Sequence, residues 1–461
     1  MKKKKFNVVD AILSTVCITL VAESVMPTAA IGNTQYFWWL FLIIAFCLPY
    51  GMIAAELSTS YPSEAGLYDW VKRAFGPKWA GRVAWNYWIN FPLWISSLAT
   101  AITTILASVL GFDLPWYLIL AVQLAYIALV TYLGTQRVGE SKYIVNLGTI
   151  FKVVILGVIG ILGFVYYFKN GSANPITSFK DLLPDLSLNI DTGLPFISII
   201  IFNFLGFEVV GTFVEDMDDP NKDIPKALII GGLIMAIFYI LPATGFNFVL
   251  GGSDVDPEDV VAVLEGVFGA IGLKGTALTV ALWAAGLMFI YTFIANISSW
   301  SFGVDEVAKY AADDGSMPAV FKGTNEQGVA SNASIMNGVV AAIISVAGIV
   351  IAEIYPDFTD AFSLFFCLSW ITLLISYMPM FLAFLKLRKT DPGTKRVYKC
   401  PGNQYIMAIV PFVLLVAGTI FTLFGDFSVE YLQDNIPLLV GVGISLVIQE
   451  ILVARIKVAK K

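Results

Sequence analysis

Val21-Ala22-Glu23-Ser24-Val25-Met26-Pro27 sets an acid and a proline inside an apolar run that extends from about residue 11 to 31. Roughly 20 apolar residues is the length an α-helix needs to cross a hydrocarbon core. An ionised group at that depth costs at least about 2.5–3.5 kcal/mol, so Glu23 requires a polar cavity or a partner. Pro27 has no amide hydrogen: it cannot complete the helical bond to the Glu23 carbonyl, and it pushes Met26 away from helical angles. Backbone groups freed in this way are tolerated in a membrane only where they meet protein or a wet cavity. Pro27 by itself reads equally well as an ordinary kink. With a carboxylate four residues earlier, the stretch reads as a membrane helix interrupted at a binding site.

The rest of the chain repeats that apolar length. Of 461 residues, 58% are hydrophobic and 13% charged, with a mean hydropathy of +0.79; a soluble domain carries about a quarter charged residues. Apolar windows predict spans at about 11–31, 36–58, 82–110, 115–134, 143–167, 193–213, 226–248, 275–301, 332–352, 358–387, 404–424 and 436–455. Twelve spans with the N-terminus inside put nearly all of the 28 Lys and Arg on the inner side. Only Lys169, Lys180 and Lys274 then fall outside, with Lys152 inside a span. This is the bias that the positive-inside rule demands, and it makes both ends cytoplasmic. Hydrophobicity continues from one span to the next, so the first reads as retained rather than as a cleaved signal. The chain has no histidine, which excludes imidazole proton relays, haem ligation and histidine-based zinc sites. Cys17, Cys47, Cys367 and Cys400 are scattered and suggest neither a metal knot nor a disulfide scaffold.

A second interruption is expected in the sixth span, at Phe202-Asn203-Phe204-Leu205-Gly206-Phe207-Glu208. Gly206 costs helix propensity and permits close backbone approach; interrupted helices near the midplane offer helix ends and carbonyls to a ligand. Glu208 and Lys152 join Glu23 as charged groups within the membrane. Lys152 reads either as a structural or snorkelling lysine or as a coupling group, because burial lowers an ammonium pKa. Glu56, at the inner end of the second span, reads as a loop-packing residue. The outer links are acidic, which orientation rules alone produce; the same charge would concentrate cations at the mouth. Residues 257–268 are expected to form a short amphipathic helix.

Further motifs carry a resemblance. Phe204-Leu205-Gly206-Phe207-Glu208, then Glu215-Asp216 and Asp219-Pro220-Asn221-Lys222-Asp223-Ile224-Pro225-Lys226-Ala227, resemble the sixth helix and following loop of the amino acid–polyamine–organocation transporter family. Ala55-Glu56-Leu57 with Tyr61-Pro62 and Glu64-Ala65-Gly66-Leu67-Tyr68, and Ala311-Ala312-Asp313-Asp314-Gly315 with Pro318, support it. The resemblance implies an all-α polytopic membrane protein with a five-plus-five inverted repeat, LeuT-like, and two further helices. The repeats would be 11–170 and 191–390, the added pair 404–455, and the cytoplasmic ends 1–10 and 456–461. It also implies that Ala22, Glu23 and Ser24 face substrate from one break, and Phe202, Phe204 and Leu205 from the other. Trp300 is similar to an aromatic gate of the arginine–agmatine branch, and Phe202 to its outer lid. Lys152 is similar to a lysine that replaces a sodium ion between helices 1 and 8.

The chain departs from the family where many members have a glycine-rich helix one whose amides hold a carboxylate. Here Glu23 would repel a carboxylate and accept a protonated amine. Ala29-Ala30-Ile31-Gly32-Asn33 with Trp38-Trp39 resembles bacterial polyamine and agmatine–putrescine exchangers. The expectation is therefore a secondary transporter, not an enzyme, in the cytoplasmic membrane, exchanging cationic amines by alternating access. A second ammonium would reach Glu208 or the third-span amides Asn86 and Asn90. The alternative is proton-coupled uptake of an amine or amino acid; a sensor built on the same fold is a more distant one. Nothing suggests a cofactor, a metal, nucleic acid or a channel filter. Oligomeric state and physiological direction are not encoded.

Overall fold

Where the apolar runs contain no interruption, they form continuous helices. A computed structural model describes residues 12–13, 16–17, 19–63, 65–136, 138–187, 193–206, 220–250, 260–354 and 361–456. Helix α1 is Val25–Ala30, and α2 is Gly32–Ser60, composed of 3-10, α and π turns. The π turn, Ile43–Cys47, ends just before Pro49, whose missing amide hydrogen leaves the carbonyl four residues back without its usual partner. Then follow α3 Leu67–Phe75, α4 Pro77–Leu110, α5 Trp116–Gly134, α6 Val138–Asn170, α7 Ile197–Phe202 and α8 Pro220–Val249. The remainder are α9 Val260–Ala270, α10 Gly275–Asp313, α11 Ser331–Ile354, α12 Ala361–Thr390, α13 Gln404–Phe424, α14 Val429–Asp434 and α15 Ile436–Ala454.

Ten helices among the described residues are long and apolar enough to cross a membrane. They coincide with ten of the twelve spans expected from the sequence. The other two, 11–31 and 193–213, are the ones expected to be interrupted, and their described residues form short pieces; residues 11, 14, 15 and 18 lie outside the described residues. Residues 207–213 lie outside the described residues.

The bundle is built by long helices lying along one another. Helix α12 runs against α4, α8 and α10 against α6, α10 against α4, α11 against α5, and α13 against α12. Glycine permits the closest of these approaches. A Cβ on Gly163 of α6 would stand 2.1 Å from the Gly245 Cα of α8, so these two backbones touch through paired glycines. Apolar side chains such as Ile161, Ile343, Val413 and Val447 remain exposed on the outer faces, as a multi-pass membrane protein presents to lipid.

Helix α10 is 39 residues long, about 58 Å, and outruns the bilayer. Its apolar part ends near residue 301, as the hydropathy indicates, but the helix continues to Asp313. Asp305 is buried there and accepts hydrogen bonds from Ser334 and Asn337 of α11. Asp314 pairs with Lys72 of α3, and Lys309 lies 3.6 Å from Glu306 and 3.8 Å from Asp313. Asp314, Glu306 and Asp313 thus lie within reach of basic partners, while Asp305 is held by a hydroxyl and an amide.

Candidate functional site

The first span loses helical form at Leu20 and Val21, ahead of a 3-10 turn Ala22–Ser24 and α1. The break therefore precedes Glu23 rather than following it. Pro27 is the third residue of α1, in a first turn where its missing N–H is not needed. The polar groups at the break are taken by Tyr239 of α8. Its hydroxyl accepts from the Val21 amide and donates to the Thr19 carbonyl, each at 2.8 Å. Ser24 donates to the Val21 carbonyl at 2.7 Å, and Ala22 and Ser24 are fully buried. The Glu23 side chain lies outside the described residues.

The second break follows α7. Amides of Phe204 and Leu205 turn back to the carbonyls of Ile201 and Phe202 at 2.9 and 3.0 Å, a tightening that ends the helix. Gly206 then has φ +107°, a conformation that a side chain rarely permits, and its amide donates to the Tyr50 hydroxyl at 3.2 Å. Phe202, Phe204 and Leu205 are buried; Glu208 lies outside the described residues.

One aromatic column joins the two breaks. Phe204 meets Trp39 edge-on at 5.6 Å, and Trp39 stacks on Tyr239 at 4.8 Å. A second set of rings packs together around Trp94. Trp94 of α4 stands between Phe202 and Trp300, edge-on to both, at 6.1 and 5.8 Å. From Trp300 the contacts run to Tyr87, Tyr377 and Tyr50; from Phe202 they run to Phe366. Phe366 and Tyr377 are both on α12, eleven residues and thus about 16 Å apart along its axis. Phe202 and Trp300 therefore belong to one connected set of rings, the aromatic enclosure of the site proposed below, although Trp94 separates them.

Asn203, at the second break, and Asn296, one turn before Trp300, have fully buried side-chain amides, and neither oxygen nor nitrogen has a hydrogen-bond partner among the described residues. Such groups cost about 1–3 kcal/mol each if left unmet, so they mark places where a ligand or water completes the fold. Asn90 is buried but donates to the Tyr87 carbonyl of its own helix. Asn86 is bonded to Gln449 of α15, which draws it toward the added helices. Lys152 is fully buried and donates to the Cys17 carbonyl at 2.6 Å; Cys17 in turn packs with Ala295 of α10. The lysine thus joins α6 to the first span beside α10.

Trp94, Tyr239, Asn203 and Asn296 were not singled out from sequence. Asn296 had a legible signal, since it is a lone amide in an apolar run one turn before Trp300. Trp94 and Tyr239 did not, because nothing in a sequence distinguishes them from packing aromatics.

At the basic end of the bundle, Glu56 behaves as a loop-packing residue. It is buried and accepts from Arg388 Nε at 2.9 Å, Arg396 Nε at 3.2 Å and the Cys400 amide at 2.7 Å. This ties α2 to α12 and to the following link. Asp391 there accepts from Thr394 and Tyr61, and these bonds hold its carboxyl below the usual range.

Comparison with known proteins agrees with this architecture. The sequence profile described as amino acid permease matches residues 6–447. A probable agmatine/putrescine antiporter of Lactococcus lactis is 39% identical over 459 residues, covering 98% of this chain and 95% of its own. A probable polyamine transporter of Arabidopsis thaliana is 24% identical, covering 82% of this chain and 71% of its own. Among solved structures, a manganese transporter of Eremococcus coleocola superposes with a TM-score of 0.56 at 14% identity. That match covers 97% of this chain and 95% of the other, and is a likeness of fold.

Proposed function

The chain belongs to the amino acid permease family, and from that premise we propose that it exchanges cationic amines, agmatine or putrescine among them, by alternating access. The observation that carries this reading is the break at Leu20–Val21. It opens onto the 3-10 turn Ala22–Ser24 that carries Glu23 in the chain and whose Ala22 and Ser24 are buried, with the second break linked to it through Trp39 and Tyr239. The 39% identity to a probable agmatine/putrescine antiporter supports the same substrate class.

In this account the two short pieces at 11–31 and 193–213 complete twelve spans, with both ends cytoplasmic. Helix contacts support an inverted repeat: exchanging the halves turns the α4–α12 contact into α10–α6 and returns α4–α10 and α5–α11 to themselves. A protonated amine pairs with Glu23, and Trp300, Trp94 and Phe202 cover it. A cation–π contact is worth about 0.5–2 kcal/mol, depending on desolvation. Its free N–H groups find acceptors in Asn203 and Asn296, and its second ammonium reaches Glu208. Helices carrying the two breaks then tilt to close one path and open the other.

The emptied acidic site is costly to carry through a dry intermediate, so a second cation must load for the return. That penalty makes the carrier an exchanger. Proton symport would instead neutralise the carboxylate and let the empty carrier return. Liposomes loaded with labelled putrescine separate the two: external agmatine or putrescine should accelerate efflux severalfold, and efflux indifferent to external amine overturns exchange.

A further inference from the structure

We propose that the protein has a second place for an organic ammonium ion, between α4, α5, α11 and α12, outside the aromatic enclosure. A cavity of about 720 Å³ opens there, at the end of the bundle where Gly111–Pro115 links α4 to α5. In the proposed orientation, which rests on the distribution of bases, this is the outer end.

Its chemistry is one-sided. Asp113 and Glu353 are exposed at its edge, and no lysine or arginine is among the described lining residues. Deeper in, Gln123 and Ser345 are 2% and 3% exposed. The Gln123 Oε1 and the Ser345 Oγ have no hydrogen-bond partner among the described residues. Burying such atoms unmet costs about as much as a lost hydrogen bond, so they point to a ligand that brings donors. Three threonines bias the wall the same way. Thr100, Thr103 and Thr104 donate their hydroxyl hydrogens to carbonyls of their own helix at 3.2, 2.7 and 3.4 Å. What they present to the cavity is lone pairs. Two carboxylates and a wall of acceptors suit a group that is all donor and positively charged.

The remaining lining selects an organic cation over a bare inorganic one. Trp116, Phe112, Ile119 and Phe365 give the cavity large apolar surfaces, and its volume far exceeds one metal ion. Alkyl segments gain from such walls, and an ammonium gains from ring faces. The site is separate from the central one yet shares a helix with it. Phe365 lines this cavity, while its neighbour Phe366 packs on Phe202. An amine held here waits one side chain away from the lid of the enclosure.

The test is a count of labelled putrescine bound per chain in nanodiscs of phosphatidylcholine, by equilibrium dialysis. The expected result is two per chain, one tight and one weak. The double variant Asp113→Asn/Glu353→Gln should lose the weak component at least tenfold and keep the tight Kd within twofold. Ala352→Trp, which fills the cavity from an exposed lining position, should do the same. Glu23→Gln should remove the tight component alone, so failure of the central reading is seen separately. One putrescine per chain in the parent, or a weak component that survives both cavity variants, overturns the proposal. So does native mass spectrometry showing a retained phospholipid that putrescine does not displace and that the cavity variants release.

Discussion

The Tyr239 hydroxyl sits between the Val21 amide and the Thr19 carbonyl, 2.8 Å from each, and so replaces the helical bonds that the first span gives up. Tyr239 is fully buried. Tyr239→Phe keeps the stack on Trp39 and leaves two backbone groups unmet. We expect a loss of about 1–3 kcal/mol, read as a lowered melting temperature in detergent. An unchanged melting temperature would show that the break does not depend on this hydroxyl.

Lys152 donates to the Cys17 carbonyl of the first span, and we propose that its ammonium serves there in place of a bound sodium ion. Amine exchange in liposomes should therefore keep its rate when sodium is replaced by choline. Lys152→Met should leave the Cys17 carbonyl without this donor and lower the melting temperature. Sodium-dependent exchange in the parent would contradict the role given to this lysine.

Glu56 is the anchor of the α12–α13 link. Removing its charge leaves Arg388 and Arg396, each 12% exposed at the side chain, without their counter-ion. Breaking one partner of a buried pair costs about 3–5 kcal/mol. Glu56→Gln should show that scale of loss in thermal unfolding, with Glu56→Asp recovering part of it.

Cys400 reports on the same link. Burial pushes its thiol up to about 11, with Arg388 opposing and Glu56 adding to the rise. Maleimide at pH 7.5 should label it at least tenfold more slowly than a free thiol, as located by peptide mass spectrometry. Asp391→Asn, which weakens the bonds to Thr394 and Tyr61, should raise that rate.

The Asp391 carboxyl also sets an acid limit. Its folded value lies below its unfolded one, so its contribution is fully present above about pH 4. That contribution is lost as pH falls through the lowered folded value. Hydrogen exchange in residues 391–403 should thus be slow, after correction for intrinsic rate, at pH 5 and faster at pH 3. Equal protection at both would contradict the assignment.

Span positions were legible because a bilayer imposes one length and one polarity on every crossing helix. Ten long helices match ten apolar windows for that reason. The exact place of the first break was not legible. Pro27 drew attention because it lacks a donor, whereas the helix opens at Leu20 and Val21, where a tyrosine over two hundred residues away supplies the missing bonds. Helix ends were legible only for the membrane-embedded part. Helix α10 continues twelve residues past its apolar run because Asp305 and Lys309 find partners in neighbouring turns. Of the rings around Trp94, Phe202 and Trp300 are reached only through the family resemblance. Trp94 between them is not, since its role comes from tertiary contact alone.

The decisive measurement is calorimetric titration of the purified parent and of Glu23→Gln with putrescine and agmatine. The account predicts that the substitution weakens the tight site more than tenfold while the melting temperature stays near that of the parent. Equal affinity in a folded variant would contradict it, because the positively charged ligand would then owe nothing to the acid in the first span.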